Sequence, residues 1–464
     1  MAPGRPVVCV QGLGWAGTAM AIAAASACDA DGSPRFAVIG VDLPTDAGRS
    51  RVDDLNNSRP PIRVDDESLG ESLRSARERG NLAATTDPAA YGLADTTVVN
   101  IGLSVSVDDA GLPHANLAGF EAAIRTLGQT MSAGSLIVVA STVPPGATEL
   151  VGAPILHDAL RDRGLPTDAV LLAHSYERVM PGPEYLDSVR QNWRVYAGLT
   201  PEAADRCEAF LHDVIDTERY PPTRLPTTLA SETAKVVENT YRAVTIAMMD
   251  EWARFGEAVG VDIFEVVDAI RLRPSHTNMR TPGFGVGGQC LPQDPLLGEV
   301  AARQLLSRPD LDFPLASAAV AVNDSMPMAA LGTVDRLLGG SLSGRRLLLC
   351  GVAYRGGAAD TRNAPAERFV ACGHARGALV DVVDPIVDHW PERRVDVPSS
   401  LPRAEDYDAV IFGVAHDEYR RLDVVAWLDG ARPVILDAAN VLSATTRDSL
   451  QVAGVRVASV GRGT

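Results

Sequence analysis

Along most of the chain, short apolar runs are followed by polar or glycine-rich turns. Val7-Val-Cys-Val10, Phe36-Ala-Val-Ile-Gly-Val41, Thr97-Val-Val-Asn-Ile101 and Leu136-Ile-Val-Val-Ala140 are continuous rather than alternating runs. That pattern predicts strands covered on both faces, as in a parallel sheet. Residues 18–27, small and apolar, predict a helix directly after the first strand. In the last third, residues 344–351, 380–385, 409–413 and 434–437 repeat the strand pattern at α/β spacing. Between the two regions, residues 229–259 change period. Val236, Val237, Tyr241, Val244, Ala247, Met248, Trp252 and Phe255 recur at helical spacing with few breakers, and Thr227 or Thr228 is placed to cap the start. The fold class that follows is α/β: two doubly wound Rossmann-like domains joined by a central helical domain with a long helix. The expected boundaries are 1–215, 216–335 and 336–464.

Composition narrows the function more by exclusion. With 46% hydrophobic and 22% charged residues the chain is ordinary globular protein. A net charge of −17 argues against nucleic acid or an anionic membrane as partner. No apolar stretch approaches the ~20 residues of a membrane span. Arg5 followed by an apolar run and Ala23-Ala-Ala-Ser-Ala27 imitates a secretion signal, but Gly12 and Gly14 interrupt it. The six cysteines, at 9, 28, 207, 290, 350 and 372, form neither a metal-ligand spacing nor a disulfide framework, so no metal is expected and a cytoplasmic location fits.

Three stretches carry chemistry. The first is Gly12-Leu-Gly-Trp-Ala-Gly17, a G-x-G-x-x-G between strand and helix. Gly12 permits the tight turn, Gly14 lets a pyrophosphate approach the backbone, and Gly17 lets helix and strand pack. The next strand ends in Asp42, whose carboxylate suits the ribose hydroxyls of NAD and repels a 2′-phosphate, although Arg49 and Arg51 lie nearby. Thr142, after a later strand, belongs by position to the same crevice. The second is Lys235, the only lysine in the chain, every other basic residue being arginine. Asn239 is one helical turn away. Glu232 lies three residues before Lys235, and on spacing alone a solvated ion pair between them is an equal alternative. The third is Gly283-Phe-Gly-Val-Gly-Gly-Gln-Cys290. Four glycines in six positions are costly in chain entropy and imply close backbone approach. Cys290 directly after them suggests a nucleophile, with Asp294 four residues on.

Together these stretches resemble the UDP-glucose/GDP-mannose dehydrogenase family over essentially the whole chain. Further matching pieces are Leu55-Asn-Asn57 with Pro60-Pro-Ile62, Ser141-Thr-Val-Pro-Pro-Gly146, Tyr176-Glu-Arg-Val-Met-Pro-Gly182, Gly351-Val-Ala-Tyr-Arg355 with Asp360-Thr-Arg362, Asp384-Pro385 and His416. The resemblance implies NAD as cofactor and a four-electron oxidation of a sugar C6 alcohol to a carboxylate, on a UDP-hexose or UDP-N-acetylhexosamine. It implies catalytic roles for Cys290, Lys235, Asn239, Asp294, Glu177 and Thr142. Gly12, Leu13, Gly14, Trp15, Ala16, Gly17, Asp42, Ser104 and Thr142 would meet the cofactor. Glu177, Arg178, Lys235, Asn239, Arg242, Gly283, Phe284, Gly285, Gly287, Tyr354, Arg355 and Arg362 would meet the nucleotide sugar. A homodimer or higher homo-oligomer is implied as well. The Glu-Arg-Val-Met-Pro-Gly stretch leans toward the N-acetylhexosamine branch.

The chain also departs from the family's pattern. Ala140 stands where glutamate is common, Gly102-Leu103-Ser104 replaces Gly-Thr-Pro, and Tyr176 occupies a position where proline is common. Asp437-Ala-Ala-Asn440 lacks an arginine often found there, and the arginine expected before the glycine loop is off its usual spacing, with Arg273, His276 or Arg280 as substitutes. Two rival functions stay in play: a two-electron β-hydroxyacid-type dehydrogenase, which also carries Lys-x-x-x-Asn on a long helix, and a catalytically silent sugar-nucleotide binder.

Overall fold

The computed structural model describes residues 4–463. The chain packs as two units, one of residues up to Glu238 with Leu296–Phe313, the other of Asn239–Pro295 with Pro314 onward.

The first unit is built on an eight-stranded sheet. Its strands are β1 (Val7–Gln11), β2 (Ala37–Val41), β3 (Leu82–Thr85), β4 (Thr96–Val99), β7 (Leu136–Val139), β8 (Leu171–His174), β9 (Val195–Gly198) and β10 (Thr223–Arg224), while β5 (Ser104–Val107) and β6 (Pro113–Asn116) form a separate exposed hairpin. The order is β10-β9-β8-β7-β4-β1-β2-β3. It is parallel from β3 through β8, and β9 joins β8 antiparallel. Each apolar run serves two cores at once: Val8 and Val10 face one, Cys9 the other. Burying each such side chain contributes roughly 1.5–3 kcal/mol.

The order reverses between β1 and β4, which is the switch point where ligands bind in doubly wound sheets. β4 ends two residues before its apolar run does. Beyond Val99 the backbone turns: the Asn100 N–H bonds the Gln11 carbonyl and the Ile101 N–H bonds the Ser141 hydroxyl.

The expected long helix spans Thr228–Val259. Thr227 is its cap, the hydroxyl accepting the Ala230 N–H at 3.1 Å. It stops at Gly260, whose φ of 78° takes the chain into the left-handed region, while the Val261 N–H closes back on the Gly256 carbonyl.

The second unit contains a five-stranded parallel sheet of β11 (Arg346–Cys350), β12 (Leu379–Val383), β15 (Ala409–Phe412), β16 (Val434–Asp437) and β17 (Val457–Ser459), with a short hairpin of β13 (His389–Trp390) and β14 (Val395–Asp396). Its order, β12-β11-β15-β16-β17, reverses at β11/β15. Leu347 and Leu349 enter one core and Leu348 and Cys350 the other, as expected of a sheet covered on both faces.

Candidate active site

The first glycine stretch has the geometry its spacing demands. Gly12 has a φ of 84°, and a Cβ there would sit 2.5 Å from the Asn100 carbonyl oxygen. A Cβ on Gly17 would sit 1.6 Å from the Gly12 carbonyl oxygen, so helix and turn pack only with glycine. Gly14, in contrast, faces open space and begins the Trp15–Ser26 helix with no side-chain cap. A helix start without a side-chain cap, beside an open glycine, is what a pyrophosphate requires. Beside this turn lies a cleft of 320 Å³ lined by Gln11, Asp42, Leu43, Pro44, Tyr91 and Ile101 among others. Gln11 Oε1 and both polar side-chain atoms of Asn100 are buried at the switch point without hydrogen-bond partners. Such orphaned groups are costly unless a ligand completes them. The residues present therefore fit a bound dinucleotide.

Asp42 is more committed than its sequence position suggests. Its carboxylate accepts from the Leu13 N–H at 3.0 Å, the Leu43 N–H at 2.7 Å and the Arg51 guanidinium at 2.8 and 3.3 Å. Burial pushes its pKa up, but Arg51 and the two N–H groups outweigh that and hold it below the usual carboxylate range. Ser104 opens the exposed β5 hairpin and Leu103 is buried.

The chemistry around Lys235 is set by the end of β8. The Ser175 and Glu177 N–H groups bond the Val139 and Ala140 carbonyls, so the chain beyond the strand still runs along β7. Lys235, with 8% of its side chain exposed, donates to the Glu177 carbonyl at 3.2 Å and lies 3.8 Å from the Glu177 carboxylate. Its ammonium also sits 5.3 Å from the Tyr176 ring centroid. Arg178 pairs with Glu238 on the long helix. Arg194 is fully buried and donates to the Tyr176 carbonyl at 2.7 Å; burial lowers its pKa to about 10 against the nearby Glu177 charge.

Glu232 does not pair with Lys235. It is 1% exposed, and its carboxylate accepts the Gly146 and Thr148 N–H groups at 2.6 and 2.8 Å. The solvated ion pair that spacing allowed is thus replaced by a buried cap on the loop carrying Thr142. Burial raises the Glu232 pKa to about 7. Ser231 meets His174 Nδ1 at 2.8 Å, and burial lowers the His174 pKa to about 3, so that imidazole is neutral. The sequence pointed to Glu232 only as a possible ion-pair partner of Lys235, and His174 carried no signal beyond its closeness to Tyr176.

The second unit holds the cysteine. Asn239 donates to Asp294 at 2.7 Å, and the Asp294 N–H bonds the Cys290 carbonyl at 2.7 Å. The glycine loop before Cys290 lies tightly on the C-terminal sheet's loops. A Cβ on Gly287 would fall 2.5 Å from the Asn363 carbonyl oxygen, and one on Gly288 2.9 Å from the Tyr354 ring. Arg362 is forked onto Asp360 at 2.8 and 2.6 Å and reaches Gln289 at 3.4 Å. Phe284 is in the core against Phe369, while Gly283 has open space, Gly285 adopts a φ of 110°, Arg355 is exposed and Arg242 half-buried. Cys290 is half-buried and in no disulfide; Cys9 and Cys207 are buried thiols that burial pushes up to about 12. Among the described residues no cluster of His, Cys, Asp or Glu is placed to hold a metal.

Models of the NAD-binding, central and UDP-binding domains of one family match residues 7–215, 229–325 and 348–444 in order. The chain belongs to the UDP-glucose/GDP-mannose dehydrogenase family. It is an NAD-dependent nucleotide-sugar dehydrogenase. A UDP-N-acetyl-D-mannosamine dehydrogenase of Pyrococcus horikoshii is 29% identical over 94% of this chain and 96% of its own. An NDP-N-acetyl-D-galactosaminuronic acid dehydrogenase of Ralstonia solanacearum is 28% identical over 90% of this chain and 92% of its own. The solved structure of a Pyrococcus horikoshii UDP-D-ManNAc dehydrogenase superposes with a TM-score of 0.81 at 27% identity, covering 98% of this chain and 99% of that one. No helix among the described residues is long and apolar enough to cross a membrane.

Proposed function

We propose that this dehydrogenase oxidises the C6 alcohol of a UDP-N-acetylhexosamine to the carboxylate in two successive two-electron steps. The branch follows from the relatives' substrates and from the Glu177–Gly182 stretch. NAD, when bound, accepts a hydride, and two molecules in turn take the four electrons. The residues supply the rest. Lys235 and Asn239, one turn apart, donate hydrogen bonds to the oxygen on C6 as negative charge develops there. The Cys290 thiolate adds to the C6 aldehyde, forming a C–S bond. After the second hydride leaves, the thioester is opened by water, which gives the carboxylate, releases the thiol and leaves its proton to a carboxylate. Asp294 and Thr142 are assigned to hold that water and Glu177 to assist its attack. Thiolate serves as both nucleophile and leaving group, which a hydroxyl does not.

The observation that carries the four-electron reading is the half-buried Cys290 thiol, set in a glycine loop and followed by an Asp294 that is bonded to Asn239. The test is the yield of NADH per nucleotide sugar across a panel of UDP-N-acetylhexosamines, UDP-glucose and GDP-mannose. Two NADH per UDP-N-acetylhexosamine is expected. One per substrate would return the chain to a two-electron dehydrogenase. Cys290→Ala is expected to cut acid formation by at least ~10³-fold, as loss of a covalent nucleophile does.

The same proposal divides the chain at 1–215, 216–335 and 336–464, into cofactor, central and sugar-nucleotide parts, working in the cytoplasm. It also assigns a partner to the long helix. Tyr241, Met248, Trp252, Phe255 and Val259 form an exposed apolar stripe along it, larger than singly scattered surface residues account for. A second copy of the chain, packed helix on helix, would cover the stripe. Trp252→Glu is expected to shift the sedimenting species from dimer to monomer.

A further inference from the structure

Tyr176 has no assigned role, yet it sits at the centre of the charged groups around Lys235. It is 2% exposed, lies two residues beyond β8, and is fixed on both sides by the Ser175 and Glu177 N–H bonds to the Val139 and Ala140 carbonyls and by Arg194 at its own carbonyl. The Lys235 ammonium lies 5.3 Å from its ring centroid and the Arg178 guanidinium 5.8 Å. The Tyr176 hydroxyl reaches Glu238, on the long helix, at 3.5 Å. Proline, common at this position in the family's motif, offers neither a π face nor a hydroxyl.

We propose that Tyr176 is a positioning residue: its ring face seats the Lys235 ammonium where it serves the reacting oxygen and favours its charged form. This rests on the assignment of Lys235 to the reaction. The other groups facing Lys235 define what the ring adds. The Glu177 carbonyl and carboxylate face it from the chain beyond β8. His174, at the end of β8, is neutral and adds no competing charge. On its own helix, Glu232 is engaged with Gly146 and Thr148, and Glu238 with Arg178. From the β8 side the Glu177 oxygens and the Tyr176 face hold the ammonium. Attraction between an ammonium and an aromatic face in a desolvated place is worth up to about a factor of ten or more. Without the ring, the ammonium loses part of that stabilisation and gives up its proton at lower pH.

The experiment compares Tyr176→Phe, Tyr176→Leu and Tyr176→Met in kcat, in KM for the nucleotide sugar and in the pH dependence of kcat. Lys235→Arg is measured beside them. Tyr176→Phe keeps the face and loses only the long Glu238 contact, so its kcat and pH profile stay close to those of the parent. Tyr176→Leu and Tyr176→Met fill most of the space without a π face. Their kcat falls about ten-fold, KM changes little, and the alkaline limb moves to lower pH. The proposal is overturned if either apolar variant matches the parent in kcat and pH profile, or if Tyr176→Phe falls as far as they do. Normal turnover in Lys235→Arg removes the underlying role of Lys235 and the proposal with it. Loss of turnover in Lys235→Arg with parent-like Tyr176→Leu removes the ring's role alone.

Discussion

The two main sheets of this dehydrogenase end in opposite ways at the carboxyl edges of their parallel strands. In the first, Gly14 faces open space and Gln11 and Asn100 leave buried polar atoms unmatched. In the second, Asp384 is fully buried and fully used. It accepts the N–H groups of Val352, Ala353, Ile386 and Val387 at 2.8 to 3.2 Å, and His416 Nε2 lies 3.2 Å away. Burial pushes the Asp384 pKa up, but His416 and the backbone donors bring it below the ordinary carboxylate range. The first end is left incomplete for a ligand to finish. The second is completed internally and gives the loop around Tyr354 a fixed shape, on which the glycine loop of Cys290 rests. Motif residues at a sheet's carboxyl end are therefore not all ligand contacts: Asp384 and His416 act on their own backbone.

The contrast breaks most visibly at Asp384. Asp384→Ala leaves four N–H groups and an imidazole without their acceptor, and is expected to cost about 3–5 kcal/mol in urea unfolding. Because the folded pKa of Asp384 is depressed, its contribution is complete above the unfolded carboxylate value near 4 and is lost as pH falls through the lower folded value. The parent should thus lose, between neutral pH and acid, stability that the variant never had. An unchanged denaturation midpoint in Asp384→Ala would mean that the second end is as unfinished as the first.

The glycines give the next largest effect, and they divide the first sheet's end into a structural and a ligand-facing half. Gly17→Ala places a methyl into the Gly12 carbonyl and is expected to destabilise the fold as well as weaken NAD binding. Gly14→Ala meets no protein atom, so the melting temperature should hold while the Kd for NAD rises. Equal losses of stability in both would remove the distinction.

How much of this the sequence shows depends on whether the cause is local. Strands buried on both faces announce themselves as apolar runs, so both sheets are legible, and Lys235 and Cys290 stand out because one is compositionally alone and the other follows an entropically costly loop. The β5 hairpin is not legible, because its residues, Ser104 to Asn116, are mostly exposed and contain no continuous apolar run. Glu232 is the clearest case of a non-local cause. Its spacing from Lys235 speaks for an ion pair, and only the loop after β7, 86 residues away in sequence, takes the carboxylate instead. Asp42 is expected at the end of the second apolar run, but its clasp by Arg51 depends on how the helix Asp46–Asn56 folds back.

Glu232 then tests whether an internally finished group can still titrate near neutrality. Its folded pKa, about 7, lies above the unfolded value near 4.5, so the native state holds a proton that the unfolded chain releases. Its contribution is complete below pH 4.5 and falls away as pH rises through about 7, by at most a few kcal/mol. Glu232→Gln should flatten that part of the stability-against-pH curve. A curve of unchanged slope in the variant would place the titration elsewhere.

The smallest expected effect is also the most direct reading of an unfinished end. Asn100 has two buried polar atoms that nothing in the protein satisfies. If they wait for the cofactor, Asn100→Leu removes a desolvation cost from the free enzyme and a hydrogen-bonding group from the complex. Stability should hold or rise by up to about 1 kcal/mol, while NAD affinity falls by roughly five- to ten-fold, the worth of one hydrogen bond. Thermal unfolding with and without NAD separates the two. The variant would match or exceed the parent when free and fall behind it when saturated. If it lost stability in the free state alone, Asn100 would be held by the protein after all, and the first sheet's end would resemble the second.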